Sequence, residues 1–289
     1  LHQIPGGWHH AVEVAAPLGK FRIFDFRFSW SIEFFSRSYS FWAGIIGGCF
    51  LTTASHGTEQ LMVQRLLAAR NERESRVALF ASWGVILLQF TLFLLIGTLL
   101  FVYYRDFHLP PPQPLDRIYP EFVWRSLPPG VAGLVIAAIL AAGMSNLSAA
   151  LNSLSSTVMM DFLKPIMKNS TRGDAFFLRA ARWTTVLWGG ILVLIGWIAQ
   201  QWGSVLEAGL SIASILYGGL LGVFLLGTLT KRTGEYAAML GMALGLASVV
   251  ALRLFTPVAF TWYVLTGTAV TFAVGYLSSF LIREKGSNA

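Results

Sequence analysis

Apolar side chains come in long runs separated by short polar stretches. Crossing a hydrocarbon core of about 30 Å takes about 20 residues of helix, and the runs are read on that scale. In order they extend from Phe41 to Leu67, Val77 to Tyr104, Val131 to Met160, Trp183 to Ala199 and Val205 to Leu229. The last stretch divides into Tyr236 to Leu252 and Phe260 to Ile282. Tyr236 to Leu252 is short for a span, but Lys231 and Arg232 before it and Arg253 after it favour a full crossing. The pattern predicts an all-α polytopic membrane protein with six to seven transmembrane helices. Residues 1–40 do not fit a span. Their Pro5-Gly6-Gly7 turn and the mixed aromatic run Phe21 to Phe35 predict an ordered extracytoplasmic segment near the interface.

Positive charge tests this division independently of hydropathy, because Lys and Arg in short loops are retained on the cytoplasmic side. One set of loops holds Arg65, Arg70, Arg73 and Arg76, then Lys164, Lys168, Arg172, Arg179 and Arg182, then Lys231 and Arg232, and finally Arg283 and Lys285. The intervening loops hold only Arg105, Arg117, Arg125 and Arg253. The alternation requires seven crossings and puts the C-terminus in the cytoplasm. Lys20, Arg22, Arg27 and Arg37 in the external first segment run mildly against the rule.

Composition agrees: 55% of the 289 residues are hydrophobic and 12% charged, against about 25% charged in soluble domains. Mean hydropathy is +0.63. The net charge of +7 is spread over loops as a topology signal rather than gathered into a nucleic-acid-binding patch. The single cysteine, Cys49, lies in an apolar run, so no disulfide framework is expected. No Walker loop, Gly-x-Ser-x-Gly or zinc motif occurs, so the chain is read as neither an enzyme nor a cofactor binder. Asn169-Ser170-Thr171 matches the glycosylation pattern but falls in a cytoplasmic loop and is read as chance. A start at Leu1 without a signal pattern reads as a truncation or processing product.

Two spans carry polar clusters at membrane depth, where polar groups must be paired or face a cavity. The first is Thr52-Thr53-Ala54-Ser55-His56-Gly57-Thr58-Glu59-Gln60, preceded by Gly47-Gly48. It reads as a broken helix lining a substrate site, or as an intact helix whose hydroxyls bond back to its own carbonyls. In the second, Ser145, Ser148, Asn152 and Ser155 form one stripe at spacings of three and four. That stripe suits an oxygen-lined site for a hard cation, or close packing through small residues. Glu207 near the outer end of its span reads as a gate residue or as simply solvated, and Gly218-Gly219 and Gly222 as marks of close packing.

These residues resemble the sodium:solute symporter family. Gly57-Thr58-Glu59-Gln60 with Gln64-Arg65 is similar to the family's broken helix and the turn after it. Ala142 to Asp161, with Met144-Ser145 and Leu151-Asn152-Ser153, resembles its sodium-binding helix. Phe224-Leu225-Leu226-Gly227 ahead of Lys231-Arg232 looks like the end of its tenth core helix. The resemblance implies a LeuT-like inverted-repeat transporter fold. Residues 41–230 are then the second five-helix repeat, core helices six to ten. Residues 1–40 are an extracytoplasmic loop, and 231–289 are peripheral helices with a cytoplasmic C-terminus. The missing N-terminal repeat of the same transporter is the implied partner, beside the lipid bilayer and a small polar solute.

Carried over by position, the family's sodium shell falls on the Ala142 carbonyl, Ser145 and Asn146, the last in place of a hydroxyl residue. Ser148 matches a second sodium site of some members, although Ala149 lacks a ligand used there. Substrate-facing positions are Thr52, Ser55, His56, Gly57, Glu59 and Gln60. Sugar-transporting relatives carry bulky aromatic and amide residues at three of these, so a hexose is disfavoured and a carboxylate or hydrogen-bonding solute favoured. The expectation is sodium-coupled symport by alternating access in a cell membrane, read as a bacterial inner membrane, with sodium as coupling ion and no other cofactor. A transporter-like sensor module and an inert fragment are the competing readings.

Overall fold

Helix starts follow from capping. The Asn71 side chain accepts the Glu74 backbone N–H at 2.9 Å, with Glu72 and Glu74 in the first turn against the helix dipole. This opens a helix of 35 residues, Glu72–Asp106. Pro129 sits in the first turn of another, where its missing N–H costs nothing.

The computed structural model describes residues 4–167, 173–199 and 204–282. Asn169–Thr171, Trp202, Arg283 and Lys285 lie outside them. The elements are α1 Gly7–Ala15 and α2 Ile32–Ser36, a π-helical turn Ala43–Gly47 leading into α3 Gly48–Gly57, α4 Gln60–Leu67, α5 Glu72–Asp106, and α6 Ile118–Ser126. Then come α7 Pro129–Thr157, which continues through a π-helical turn Val158–Leu163 into α8 Lys164–Ile166, and α9 Asp174–Ala199, α10 Val205–Leu229, α11 Glu235–Phe255 and α12 Tyr263–Leu281. The described residues contain no strand.

Six helices are long and apolar enough to span: Glu72–Asp106, Pro129–Ile166, Asp174–Ala199, Val205–Leu229, Glu235–Phe255 and Phe260–Leu281. The expected first span, Phe41 to Leu67, is divided by a break and does not count among them. Helix α10 has the bounds read from the sequence, whereas α9 begins nine residues earlier than Trp183, at Asp174. Hydropathy marks only the apolar part of a helix, and its charged first turns extend beyond it.

The chain divides into two compact units, one formed by residues up to Phe107 with those from Leu206 onward, the other by His108–Val205. In the first unit α10, α11 and α12 meet along small residues: Gly218 and Gly222 in α10, Gly241 and Gly245 in α11, and Gly267, Thr271 and Gly275 in α12. A methyl group on Gly218 would lie 2.9 Å from the Gly267 Cα, and one on Gly241 2.9 Å from the Gly275 Cα. Backbones therefore touch, as small-xxx-small motifs allow. Thr268 Oγ1 donates to the Gly218 carbonyl at 3.2 Å.

Onto this seam α3 packs through Ala54, which is fully buried against Leu221 and Val264. The Gly47 Cα faces the Thr261 backbone in the turn before α12. The preceding segment is pinned as well. Phe34 and Trp262 share a buried cluster with Ala43 and Ala259, and the Ala259 N–H donates to the Phe35 carbonyl at 2.9 Å. Helix α1 lays Ala11 and Ala15 against Val102 of α5, and His10 Nε2 meets Asp106 Oδ2 at 3.0 Å. On the exposed strap between α1 and α2, the Arg27 guanidinium beside Asp25 holds its carboxyl well below the usual carboxylate range.

In the second unit α7 packs along α9, with α6 against α7. Ser155 is buried and donates to the Ala181 carbonyl at 2.9 Å. The other faces of these helices expose large apolar side chains such as Leu134 and Val193, as a bilayer requires.

Gly267→Leu is expected to destabilise the protein by about 2 kcal/mol through overpacking of the seam. Gly84→Leu, at an α5 position with open space around it, should leave the thermal unfolding midpoint in detergent unchanged. Ser155→Ala should lower that midpoint, reflecting a loss of about 1 kcal/mol for one buried hydrogen bond, while Ser148→Ala on the exposed part of the same stripe should not.

Candidate functional site

Helix α3 ends at Gly57, and α4 begins at Gln60. Between them Thr58 has φ −120° and ψ −19°, and Glu59 is extended at φ −77° and ψ 118°. The interruption is thus two residues long, within a polar run of nine. Thr52 to Gly57 remain helical and partly satisfy themselves. Ser55 Oγ donates to the Thr52 carbonyl at 3.1 Å, and Thr58 Oγ1 to the Ala54 carbonyl at 2.7 Å. Both readings of this segment are realised in part, with back-bonded hydroxyls up to the break and extended backbone at it. A helix end beside a helix start leaves unpaired carbonyls next to unpaired N–H groups. Such a juxtaposition in a membrane offers donors and acceptors to a solute or ion.

Among the expected substrate positions, Thr52 is exposed, and Ser55, His56, Gly57 and Glu59 are half-buried. The Gln60 side chain lies outside the described ones. His56 Nδ1 is held by the helix itself, 3.1 Å from the Thr52 carbonyl and 3.0 Å from Ser55 Oγ. The Nε2 nitrogen lies on the side of the ring away from these two contacts. Glu59 accepts the Tyr217 hydroxyl of α10 at 2.7 Å. Tyr217 is absent from the sequence reading, although a tyrosine inside an apolar run usually finds a partner for its hydroxyl.

The expected sodium positions all lie on α7, and Ala142, Ser145, Asn146 and Ser148 are all exposed there. Helix α7 is unbroken across them. In a regular α-helix the carbonyl of residue i lies beside the side chains of i+3 and i+4. Ala142, Ser145 and Asn146 have this spacing, so a carbonyl, a hydroxyl and an amide oxygen are offered within one turn. The ladder uses one lone pair of the Ala142 carbonyl and leaves the other. Ser148 lies one turn beyond Ser145. Farther along the same stripe Ser155 serves packing, through its bond to Ala181.

The α7 set and the α3–α4 set belong to different compact units. No group of three or more His, Cys, Asp or Glu side chains able to hold a metal occurs among the described residues. Glu207, read as a gate or a solvated residue, is half-buried in the first turn of α10.

A sodium:solute symporter family model matches residues 27–245. The sodium/sialic acid symporter NanT of Aliivibrio fischeri is 31% identical over 244 residues, which are 83% of this chain and 48% of that protein. The mouse sodium-coupled monocarboxylate transporter 1 is 27% identical over 216 residues, 73% of this chain and 35% of that one. Among solved structures, a substrate-bound, outward-open sodium-coupled sialic acid symporter is similar with a TM-score of 0.74 and 25% identity, over 97% of this chain and 57% of that one. The chain spans from about a third to about half of the length of the curated relatives it matches. With the family model covering most of its length, and with a broken helix and a polar, oxygen-rich helix in the fold, this chain belongs to the sodium:solute symporter family.

Proposed function

We propose that the protein carrying this chain is a sodium-coupled symporter of a small, carboxylate-bearing polar solute, working by alternating access. The observation that carries this reading is the break at Thr58–Glu59. Extended backbone at membrane depth is tolerated only where protein or a water-filled cavity satisfies it. Residues 41–230 are the second of two inverted repeats, and they meet a first repeat across the site. Residues 1–40 are extracytoplasmic and 231–289 peripheral, with the C-terminus cytoplasmic in a bacterial inner membrane.

Sodium binds the Ala142 carbonyl, Ser145 and Asn146, with Ser148 at the edge of the shell. The solute meets Thr52, Ser55, His56, Gly57, Glu59 and Gln60. Sialic acid and monocarboxylate, named for the relatives above, each carry a carboxylate. Hydroxyls at Thr52 and Ser55 and the Nε2 nitrogen of His56 suit such a solute better than an apolar one, and no aromatic side chain among these six positions offers a stacking face for a sugar ring. Ion binding at α7 favours the outward-facing state, and solute at the break then permits closure.

Uptake by the full-length protein in vesicles should collapse when choline replaces sodium and survive dissipation of the proton gradient. The reverse result would exclude sodium coupling. Ser145→Ala should raise the sodium concentration for half-maximal uptake about tenfold, the effect of roughly 1.4 kcal/mol lost at one ligand. His56→Ala should raise the solute KM and leave the sodium dependence in place.

A further inference from the structure

We infer that Tyr217 is a positioning residue that sets the angle of the broken helix by holding its two halves on α10 through different parts of one side chain. The inference rests on the transport reading for its consequence, but not for its geometry. The Tyr217 ring packs on the buried cluster of Ala54, Leu221 and Val264, so it belongs to the seat of α3. Its hydroxyl reaches past the break and donates to the Glu59 carboxylate at 2.7 Å. Glu59 starts α4, since its carbonyl accepts the Met62 and Val63 N–H groups at 3.1 and 2.9 Å. One tyrosine therefore joins the cluster that seats α3 and bonds the carboxylate beyond Thr58.

The two attachments differ in kind. Helix α3 is held by an apolar contact of Ala54 with Leu221 and Val264, beside the close-packed glycine seam. Helix α4 is tied to α10 by a charge-assisted hydrogen bond, directional and exchangeable against another partner. When Glu59 turns to a different partner, α4 is released while α3 stays seated. The break then behaves as a hinge with a latch, and the latch involves one of the residues assigned to the solute. Solute binding and hinge angle are coupled through a single carboxylate.

The test uses the full-length protein with spin-label pairs read by pulsed dipolar spectroscopy. Labels at Gln64 and Leu229, both exposed, in a Cys49→Ser background report α4 against α10. Labels at the native Cys49, which is exposed, and Leu229 report α3 against α10. Tyr217→Phe keeps the ring and removes only the hydroxyl. It should broaden the Gln64–Leu229 distance distribution about twofold and leave the Cys49–Leu229 distribution as narrow as in the unmodified protein. Solute uptake should lose about tenfold in Vmax, and KM should shift with it, because the freed Glu59 carboxylate is one of the groups assigned to the solute. Glu59→Gln combined with Tyr217→Phe should broaden the α4 pair no more than Tyr217→Phe alone. An unchanged α4 distribution, equal broadening of both pairs, or additive effects in the double variant would each overturn the inference. Absence of sodium-dependent uptake in the unmodified protein would instead count against the transport reading, since the spin-label comparison reads the hinge without any transport.

Discussion

Backbone contact between α10 and α12 at Gly218 and Gly267 is the constraint from which the rest of the first unit follows. With no side chain at either position the two helices approach until Gly218 is in contact with the Gly267 Cα, and α11 completes the seam by setting Gly241 against Gly275 and Gly245 against Thr271 of α12. In lipid there is little hydrophobic gain from helix association, so dispersion at such short range is a main source of stability. The seam carries a cost: Ser214 Oγ and Thr271 Oγ1 are buried there without hydrogen-bond partners among the described residues. Close fit outweighs two unpaired hydroxyls. The result is a rigid platform on which α3 rests through Ala54.

Rigidity on one side of the break gives meaning to its softness on the other. Polar groups in an apolar surround must be satisfied locally, and the segment does this in two ways. Up to Gly57, side-chain hydroxyls and the His56 ring bond back to the helix that bears them. At Glu59 the backbone leaves the helix, and the Glu59 carboxylate takes its hydrogen bond from a distant side chain, Tyr217, 158 positions along the chain. The first kind of bond preserves a helix and the second fixes a direction, so a two-residue gap suffices to divide one span into two helices held by different forces.

The polar helix α7 works by regularity instead. Its unbroken ladder places the Ala142 carbonyl beside Ser145 and Asn146, a set of oxygens that needs no unwinding. The same periodicity sends Ser155 to the Ala181 carbonyl of α9. One stripe thus combines a surface of exposed oxygens with a packing contact, and neither use excludes the other. Membership of the sodium:solute symporter family agrees with both features and with the order in which they occur along the chain.

Much of this was determined by the sequence alone. Runs of apolar residues fix where helices cross, because a bilayer admits few other backbones, and α10 runs over Val205–Leu229 in both the pattern and the fold. Polar residues at membrane depth, from Thr52 to Gln60 and from Ser145 to Ser155, mark where something other than lipid contact is required, since leaving them unpaired is too costly. What those residues do was left open, for each cluster allowed two readings that differ only in partners. The tertiary structure decided that the first helix breaks at Thr58–Glu59 alone, that Ser155 pairs with Ala181, and that Tyr217 holds Glu59. Local spacing governs bonds within a helix, as in the return of Ser55 to Thr52. Which side chain arrives from 158 positions away depends on how closely the glycine seam lets α10 approach, and that distance is not written in either segment.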